Sequence, residues 1–437
     1  MKQINLKEMK KGYFIGDFEP NVLRSKNVEI SIKGASKYTL DAAYYRKNDV
    51  RVIYISRGKI DLDGRIYGKG DALLFEPGEI INIFALTNVD MIVINFPGTK
   101  GDLCRVVWNN FDEMDKFYKS YLYRLIDKHD KELLTEHKTA IKSRDITVVI
   151  QGNFEKDITA NTIRSIRKYL PEAKIIVSTW EKCDCDGEDY DVLIQSKDPG
   201  ACECGLYADI PIGNNGNRQI VSTKAGLNKV NTKYTLKLRS DLVLLDNSLL
   251  DYFDEYPFRE EQYSIFKHKI IIGELFTRNN FIYRDTEGKR HNVGKPFHPS
   301  DWFFFGLTED IRKIFDNIDL IPPNEMAGYD CKYPRRVHGN KYRYSWRYTT
   351  EQHIFLGCVR QKFKNIQFDD WTDWNSEIMS FSEKVMMNNF IILDFCQHRI
   401  LNTKYVPESY ANSGVYYKEE ALMNNRQMVE YIEKYKT

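Results

Sequence analysis

From Thr147 to Leu238 the chain alternates short apolar runs with amphipathic stretches about a dozen residues long, and that rhythm leaves few folds open. Thr147–Ile150, Lys174–Ser178, Asp191–Ile194 and Tyr234–Leu238 read as strands, with Ile158–Tyr169 and Arg218–Lys229 as helices between them. Strands and helices alternating at this spacing imply parallel pairing through right-handed crossovers, so a doubly wound, Rossmann-like α/β sheet is expected. In such sheets ligands bind off the carboxyl ends of the strands. Past the four ends stand Gln151 and Gly152; Thr179, Trp180 and Glu181; Ser196 to Gly200, including Asp198; and Arg239, Ser240 and Asp241. Amide, ring and positive charge together suit a nucleotide diphosphate, although every strand must end in something.

A chain of 437 residues is too long for one ordinary core. Upstream, Val52 to Gly78 breaks into short β-rich runs punctuated by Gly and Pro, with further strands at Val28–Ile32 and Met91–Phe96. That is the rhythm of a small all-β barrel, expected over residues 1–100 and closing near Gly98. Phe111, Met114, Phe117, Tyr118, Tyr121, Leu122, Leu125 and Ile126 recur at helical spacing, so residues 101–143 are expected to form a helical connector. The α/β domain then occupies residues 144–437.

The 64 basic and 62 acidic residues nearly cancel, leaving no global field that would make nucleic acid or an anionic membrane the main partner. Neither a secretory leader at the N-terminus nor a run of about 18 apolar residues is legible, so a cytoplasmic location is expected. The eight cysteines are then expected as thiols. Cys183-x-Cys185 and Cys202-x-Cys204 are spaced too closely for a usual zinc site, and loop thiols are the plainer reading.

Over about 70 residues, through Gly58, Gly64, Gly70-Asp71 and Pro77-Gly78, the first region resembles the cupin superfamily. The resemblance implies a barrel, yet the histidines and glutamate that hold a metal in cupin enzymes are missing. Their places fall on Tyr44 or Tyr45, Arg46 or Lys47, Arg51 and Ile81, and a guanidinium has no lone pair to offer a metal. A binding, dimerising or structural module is implied, with a homodimer through this domain as one expectation. The absence of His from residues 1–100 counts against a sugar-nucleotide isomerase.

Farther along, Val-Val-Ile-Gln-Gly, Ile-Ile-Val-Ser-Thr-Trp, Lys-Asp-Pro-Gly, Asn-Arg-Gln-Ile-Val-Ser-Thr, Leu-Lys-Leu-Arg-Ser-Asp and, later, Phe297 to Gly306 and Thr350-Glu351-Gln352 occur in order. Over roughly residues 145–405 these segments resemble the WavE lipopolysaccharide-synthesis family of glycosyltransferases. The resemblance implies a GT-A-like fold, a nucleotide-sugar donor, and a lipopolysaccharide or capsular acceptor, lipid-linked at the inner face of the cytoplasmic membrane. A non-catalytic sugar-nucleotide-binding or scaffold protein is the rival reading.

In that fold a strand usually ends in Asp-x-Asp, which holds Mn2+ or Mg2+; here Arg239 replaces the first acid and Asp241 keeps the second. Either Asp241 ligates the metal, or Arg239 forks onto the phosphates. Lys237 and Ser240 flank them, and Arg218, Gln219 and Ser222 stand near a helix start suited to anions, with Asn217 as the expected cap. Asp301 and Glu351 are the carboxylates expected at the chemistry, Glu351 as base and Asp301 as base or sugar contact. His298, Trp302 and Arg347 are acceptor candidates, the last from the basic, aromatic run Lys332 to Arg347, and His398 is a late metal-ligand candidate.

Overall fold

A computed structural model describes residues 9, 12–19, 21–35, 37, 40–106, 108, 110–129, 140–207, 210–284, 290–316, 318–327, 329, 346–402 and 423–436. The chain divides between Leu125 and Ile126 into two compact units.

The first unit holds ten strands: β1 (Tyr13–Ile15), β2 (Glu29–Ala35), β3 (Leu40–Arg46), β4 (Val50–Arg57), β5 (Lys59–Leu62), β6 (Arg65–Gly68), β7 (Ala72–Phe75), β8 (Ile81–Ala85), β9 (Val89–Phe96) and β10 (Leu103–Arg105). They form two antiparallel sheets, ordered β1-β2-β9-β4-β7 and β10-β3-β8-β5-β6. Alternate side chains, among them Ile53, Ile55, Ile60, Phe75, Ile83 and Val93, point inward and make one apolar core. The expected closure near Gly98 falls short: β10 pairs with β3, carrying the barrel to Arg105. Helix α1 (Phe111–His129) follows, and its Tyr121 ring meets Phe84 of β8 edge-on at 5.7 Å, so its N-terminal part packs on the barrel. Residues 130–139 of the expected connector lie outside the described residues.

The second unit opens with β11 (Ile146–Gln151), α2 (Lys156–Tyr169), β12 (Lys174–Trp180), β13 (Val192–Ser196), β14 (Cys202–Tyr207), β15 (Ile210–Asn214), α3 (Gly216–Leu227), β16 (Tyr234–Arg239) and β17 (Leu242–Leu244). It continues through β18 (Ile270–Gly273), β19 (Arg278–Arg284), β20 (Arg290–His298), β21 (Phe303–Leu307), α4 (Thr308–Asp316) and α5 (Pro323–Met326). It ends with α6 (Thr350–Lys362), α7 (Ser376–Asn389), β22 (Phe390–Leu393), α8 (Phe395–His398), β23 (Ile400–Asn402) and a last helix, Asn425–Tyr435.

Seven strands build the central sheet, ordered β13-β12-β11-β16-β21-β18-β22. The four read from the sequence are parallel, β12 beside β13, β11 beside β12, and β16 on β11's other side. In β11, β12 and β16 both faces are covered, so Val148, Val149, Ile175, Ile176, Leu236 and Leu238 are all buried, whereas β13 at the sheet edge is half-buried. Beyond those four strands the sheet is mixed, because β21 runs antiparallel to both β16 and β18. The strands β18, β21 and β22 are runs of four or five apolar residues, too short for periodicity to separate them from buried helix.

No helix among the described residues is long and apolar enough to cross a membrane. Helix α3 lies hard against the sheet, where a Cβ on Gly226 would stand 2.4 Å from a Val149 methyl and 3.3 Å from the Ser178 Cβ. Gly226→Val should therefore cost about 1–3 kcal/mol through overpacking, read as a lower midpoint in urea. An unchanged midpoint would show that α3 can lift without penalty.

Candidate functional site

The strand order reverses between β11 and β16, because β12 and β13 extend the sheet to one side of β11 and β16 adds to the other. A crevice opens beyond the carboxyl ends at such a switch point. Register pairs Gln151 with Arg239 there, so the two strands end side by side. Gly152 turns away with φ of +118°, and even a built Cβ would stand 3.3 Å from Ser240 Oγ, so a larger residue would fill the space between the ends. Ser240 ties them together: its N–H donates to the Gln151 carbonyl at 3.1 Å and its hydroxyl to the Asn153 carbonyl at 2.6 Å. From α2, Thr162 donates to the Ser240 carbonyl at 3.0 Å, and from α3 the Ser222 hydroxyl donates to Gln151 Oε1 at 3.0 Å.

On β16 and the turn after it, three charged side chains converge with the segment preceding β21. Arg239 grips Asp241 bidentately, Nε to Oδ1 at 3.1 Å and Nη2 to Oδ2 at 2.7 Å, while its guanidinium lies over the Trp302 ring at 5.2 Å. Trp302 is nearly buried and also meets Phe276 edge-on, so it is a wall supporting Arg239 more than an open platform for a sugar. Lys237 is fully buried; its ammonium donates to the Asp301 carbonyl and lies 5.4 Å from the Phe304 ring. Gln219 reaches the same carbonyl at 3.4 Å.

Burial raises the Asp301 carboxyl above its usual range, and the negative charge of Glu351 adds to the rise, against the opposing pull of Lys237 and Arg239. Burial drives the Lys237 ammonium down from 10.5 to about 7, only partly offset by Asp301. Glu351 stands in the first turn of α6, whose N-cap is Thr349 in a capping box with Gln352. His298 Nε2 lies 3.8 Å from Glu351 Oε2. Burial holds this imidazole well below its ordinary value, with Arg278 and Lys295 pushing the same way, so it is neutral. At 2% exposure His298 is a support behind Glu351, not a side chain open to an acceptor.

The structure thus brings together Gln151, Gly152, Gln219, Ser222, Lys237, Arg239, Ser240, Asp241, His298, Asp301, Trp302 and Glu351. Thr179 and Trp180 are buried at the end of β12. Asp198 receives Arg218 bidentately, at 2.8 and 2.6 Å, on the half-exposed rim. Asn217 does not cap α3, as Asn215 holds the cap position; Asn217 instead bonds both backbone groups of Ile321. Arg347 pairs with Glu325 at 2.7 Å, and residues 332–345 of the basic run lie outside the described residues.

Divalent metal does not fit the donor set as it stands. Both oxygens of Asp241 hold Arg239, and among the described residues no three His, Cys, Asp or Glu side chains converge on one point. His398 is engaged elsewhere, Nε2 with Glu274 at 3.2 Å and Nδ1 accepting from the Ile400 N–H at 2.9 Å. Cys183, Cys185 and Cys202 are free thiols. Arg278 and Lys295 are the charges the sequence reading missed. Arg278 is twenty residues before His298 and faces it only because β19 and β20 fold back as a hairpin.

In the barrel, the places of the missing metal ligands hold a buried polar network. Arg51 donates to Asn95 at 2.8 Å and to the Tyr44 hydroxyl at 2.9 Å, and Arg46 contacts Glu29 at 3.6 Å and Asp49 at 3.4 Å. Burial raises the Glu29 carboxyl, with Arg46 opposing.

The chain is thus a β-barrel unit followed by an α/β unit with a charged crevice at its own switch point. The chain belongs to the WavE lipopolysaccharide synthesis family, whose model matches residues 146–435, and this ties it to lipopolysaccharide synthesis. No curated protein matches it. The N-terminal region resembles solved cupin and double-stranded β-helix folds. One is a conserved protein from Klebsiella pneumoniae, at 15% identity over 20% of this chain and 81% of that one, with TM-score 0.18. Another is a cupin protein from Bacteroides fragilis, at 21% identity over 17% and 69%, with TM-score 0.15. A third is an RmlC-like cupin from Shewanella frigidimarina, at 16% identity over 18% and 71%, with TM-score 0.16.

Lys237 gives the site a pH signature. Between about pH 7 and 10.5 the unfolded chain holds a proton on this amine that the native state has released, so stability rises with pH across that window. Lys237→Met should flatten that rise in denaturant titrations at successive pH values. A slope unchanged from wild type would mean that Lys237 stays protonated in the folded protein.

Proposed function

We propose that the second unit transfers a sugar from a nucleotide-activated donor to a lipopolysaccharide or capsular polysaccharide acceptor. The observation that carries this reading is the meeting of Arg239, Asp301 and Glu351 at the switch-point crevice. The parallel half β13-β12-β11-β16 supports a GT-A-like core, and membership of the family supplies the glycan context.

In this reading the nucleoside lies beyond the strand ends at Gly152, over the enclosed Gln151, Thr179 and Trp180, with its diphosphate toward Arg239, Arg218 and Ser240. Arg239 leaves Asp241 and forks onto phosphate oxygens, a planar match that a guanidinium makes well. Glu351 accepts the proton of the acceptor hydroxyl as that oxygen bonds to the anomeric carbon. The bond from that carbon to the phosphate oxygen breaks, and its electron pair leaves with the nucleoside diphosphate, stabilised by Arg239. Asp301 contacts a sugar hydroxyl. The acceptor enters past Arg347 and, when lipid-linked, brings the protein to the inner face of the cytoplasmic membrane as a peripheral contact. Arg239 takes the charge-neutralising part that Mn2+ or Mg2+ would otherwise supply.

The purified chain, offered UDP-, GDP-, CMP- and dTDP-sugars, should release nucleotide from one of them in the presence of EDTA. Glu351→Gln should lower kcat about 10²-fold or more with little change in donor KM, while Arg239→Ala should lower kcat/KM for the donor. Failure of every nucleoside diphosphate to raise Tm would overturn the reading. Nucleotide binding without turnover on any donor would point instead to a sugar-nucleotide-binding scaffold.

A further inference from the structure

At the β19–β20 hairpin the second unit holds a pocket of about 260 Å³, set between β19, α7 and the last helix. That helix turns one face to it, since Gln427, Glu430, Tyr431 and Lys434 recur at i, i+3, i+4 and i+7. Tyr431 is buried and belongs to the floor, while Glu430 and Lys434 stand exposed at the mouth. Glu383 of α7 and Asn279 of β19 are half-buried and form the walls. The Met423 N–H donates to the Thr277 carbonyl at 2.9 Å, which fastens the entry to the last helix beside β19.

The protein does not use up the polar groups of this pocket. Among the described residues, neither the Glu383 carboxylate nor the Asn279 amide has a hydrogen-bond or ion-pair partner. Gln427 commits its oxygen to the Asn424 N–H at 3.1 Å, which leaves its NH2 group to donate. The Tyr431 hydroxyl is turned to Glu260 at 3.2 Å, so Tyr431 offers the pocket its ring. Half-buried donors and acceptors without partners cost free energy that a ligand can recover.

We infer that this pocket is an accessory site for one uncharged sugar ring of a glycan. A carboxylate only accepts hydrogen bonds and an amide NH2 only donates them, whereas each hydroxyl of a sugar does both. The Tyr431 ring supplies apolar surface for the C–H groups of such a ring. Glu383 and Glu430 set two carboxylates against the one ammonium of Lys434, a balance that disfavours a phosphate or carboxylate ligand. Pockets for drug-sized ligands run to about 300–1,000 Å³, so this smaller one suits a single ring better than a nucleotide. Its position gives it a use, and here the inference rests on the proposed transfer. Asn279 follows Arg278, which stands opposite His298, and His298 lies 3.8 Å from Glu351. An acceptor glycan whose end sugar reaches Glu351 therefore has a second sugar held at the same hairpin.

Saturation-transfer NMR on the full chain without nucleotide, where no transfer can occur, reads this binding by itself. Glucose, galactose and their linear trisaccharides should give a saturable signal, and glucose 6-phosphate a weaker one. Glu383→Ala should raise Kd about ten-fold, the loss of a hydrogen bond to a charged group, with an unchanged far-UV circular dichroism spectrum. Asn279→Ala should weaken binding in the same direction and carries the test if the first variant misfolds. No saturable signal from any of these sugars, a Kd unchanged in both variants, or tighter binding of glucose 6-phosphate would overturn the inference. The donor reading is tested with nucleotides and Tm, so either can fail while the other stands.

Discussion

The parallel pairing of β11 with β16 is the contact on which the rest of the second unit depends. It sets Gln151 beside Arg239, and the sheet order reverses there, so neither strand end can be covered by the next crossover. Everything nearby serves to hold that opening in shape. Ser240 bridges the two ends through its N–H and its hydroxyl, Thr162 ties the turn to α2, and Ser222 ties Gln151 to α3. The antiparallel β21 then delivers Asp301 and Trp302 to the same edge, since it begins where β16 ends.

Buried charge shows which parts of this edge are scaffold. Lys237 and His298 are wholly enclosed and pushed toward their neutral forms, so each serves the site through the groups it touches, the Asp301 carbonyl and the Glu351 carboxylate. Arg239, Asp301 and Glu351 keep partial access, and in the proposed transfer the chemistry falls to them. The barrel has spent the same device differently. There Arg46 and Arg51 bridge Glu29, Asp49, Asn95 and Tyr44, so hydrogen bonds and ion pairs tie the strands together from within.

Four strands of the α/β unit, β11, β12, β13 and β16, were legible because they are written as short, largely apolar runs set between amphipathic stretches. Their ends, Gln151, Trp180, Ser196 and Arg239, followed at once. What could not be read was how far apart in sequence two neighbours lie. Nothing at Arg278 announces that it will face His298, and nothing at Asn217 announces that Ile321, one hundred and four residues later, will claim its side chain. Burial was equally hidden. Trp302 and His298 carry ring chemistry suited to sugars, yet both are enclosed by elements that the local pattern does not foretell.

In the proposed transferase, the Arg239–Asp241 pair accounts for the departure from Asp-x-Asp. Two carboxylates would repel each other without a cation, whereas one carboxylate and one guanidinium satisfy each other. The pair is only partly buried, with side-chain exposures of 27% and 12%, so parting it does not strand a charge deep in an apolar medium. In the proposed reading a diphosphate offers a pair of oxygens for the same two-pronged contact as Asp241 and carries more negative charge, so it draws the guanidinium across. Trp302, stacked against Arg239, keeps the guanidinium plane supported through that exchange.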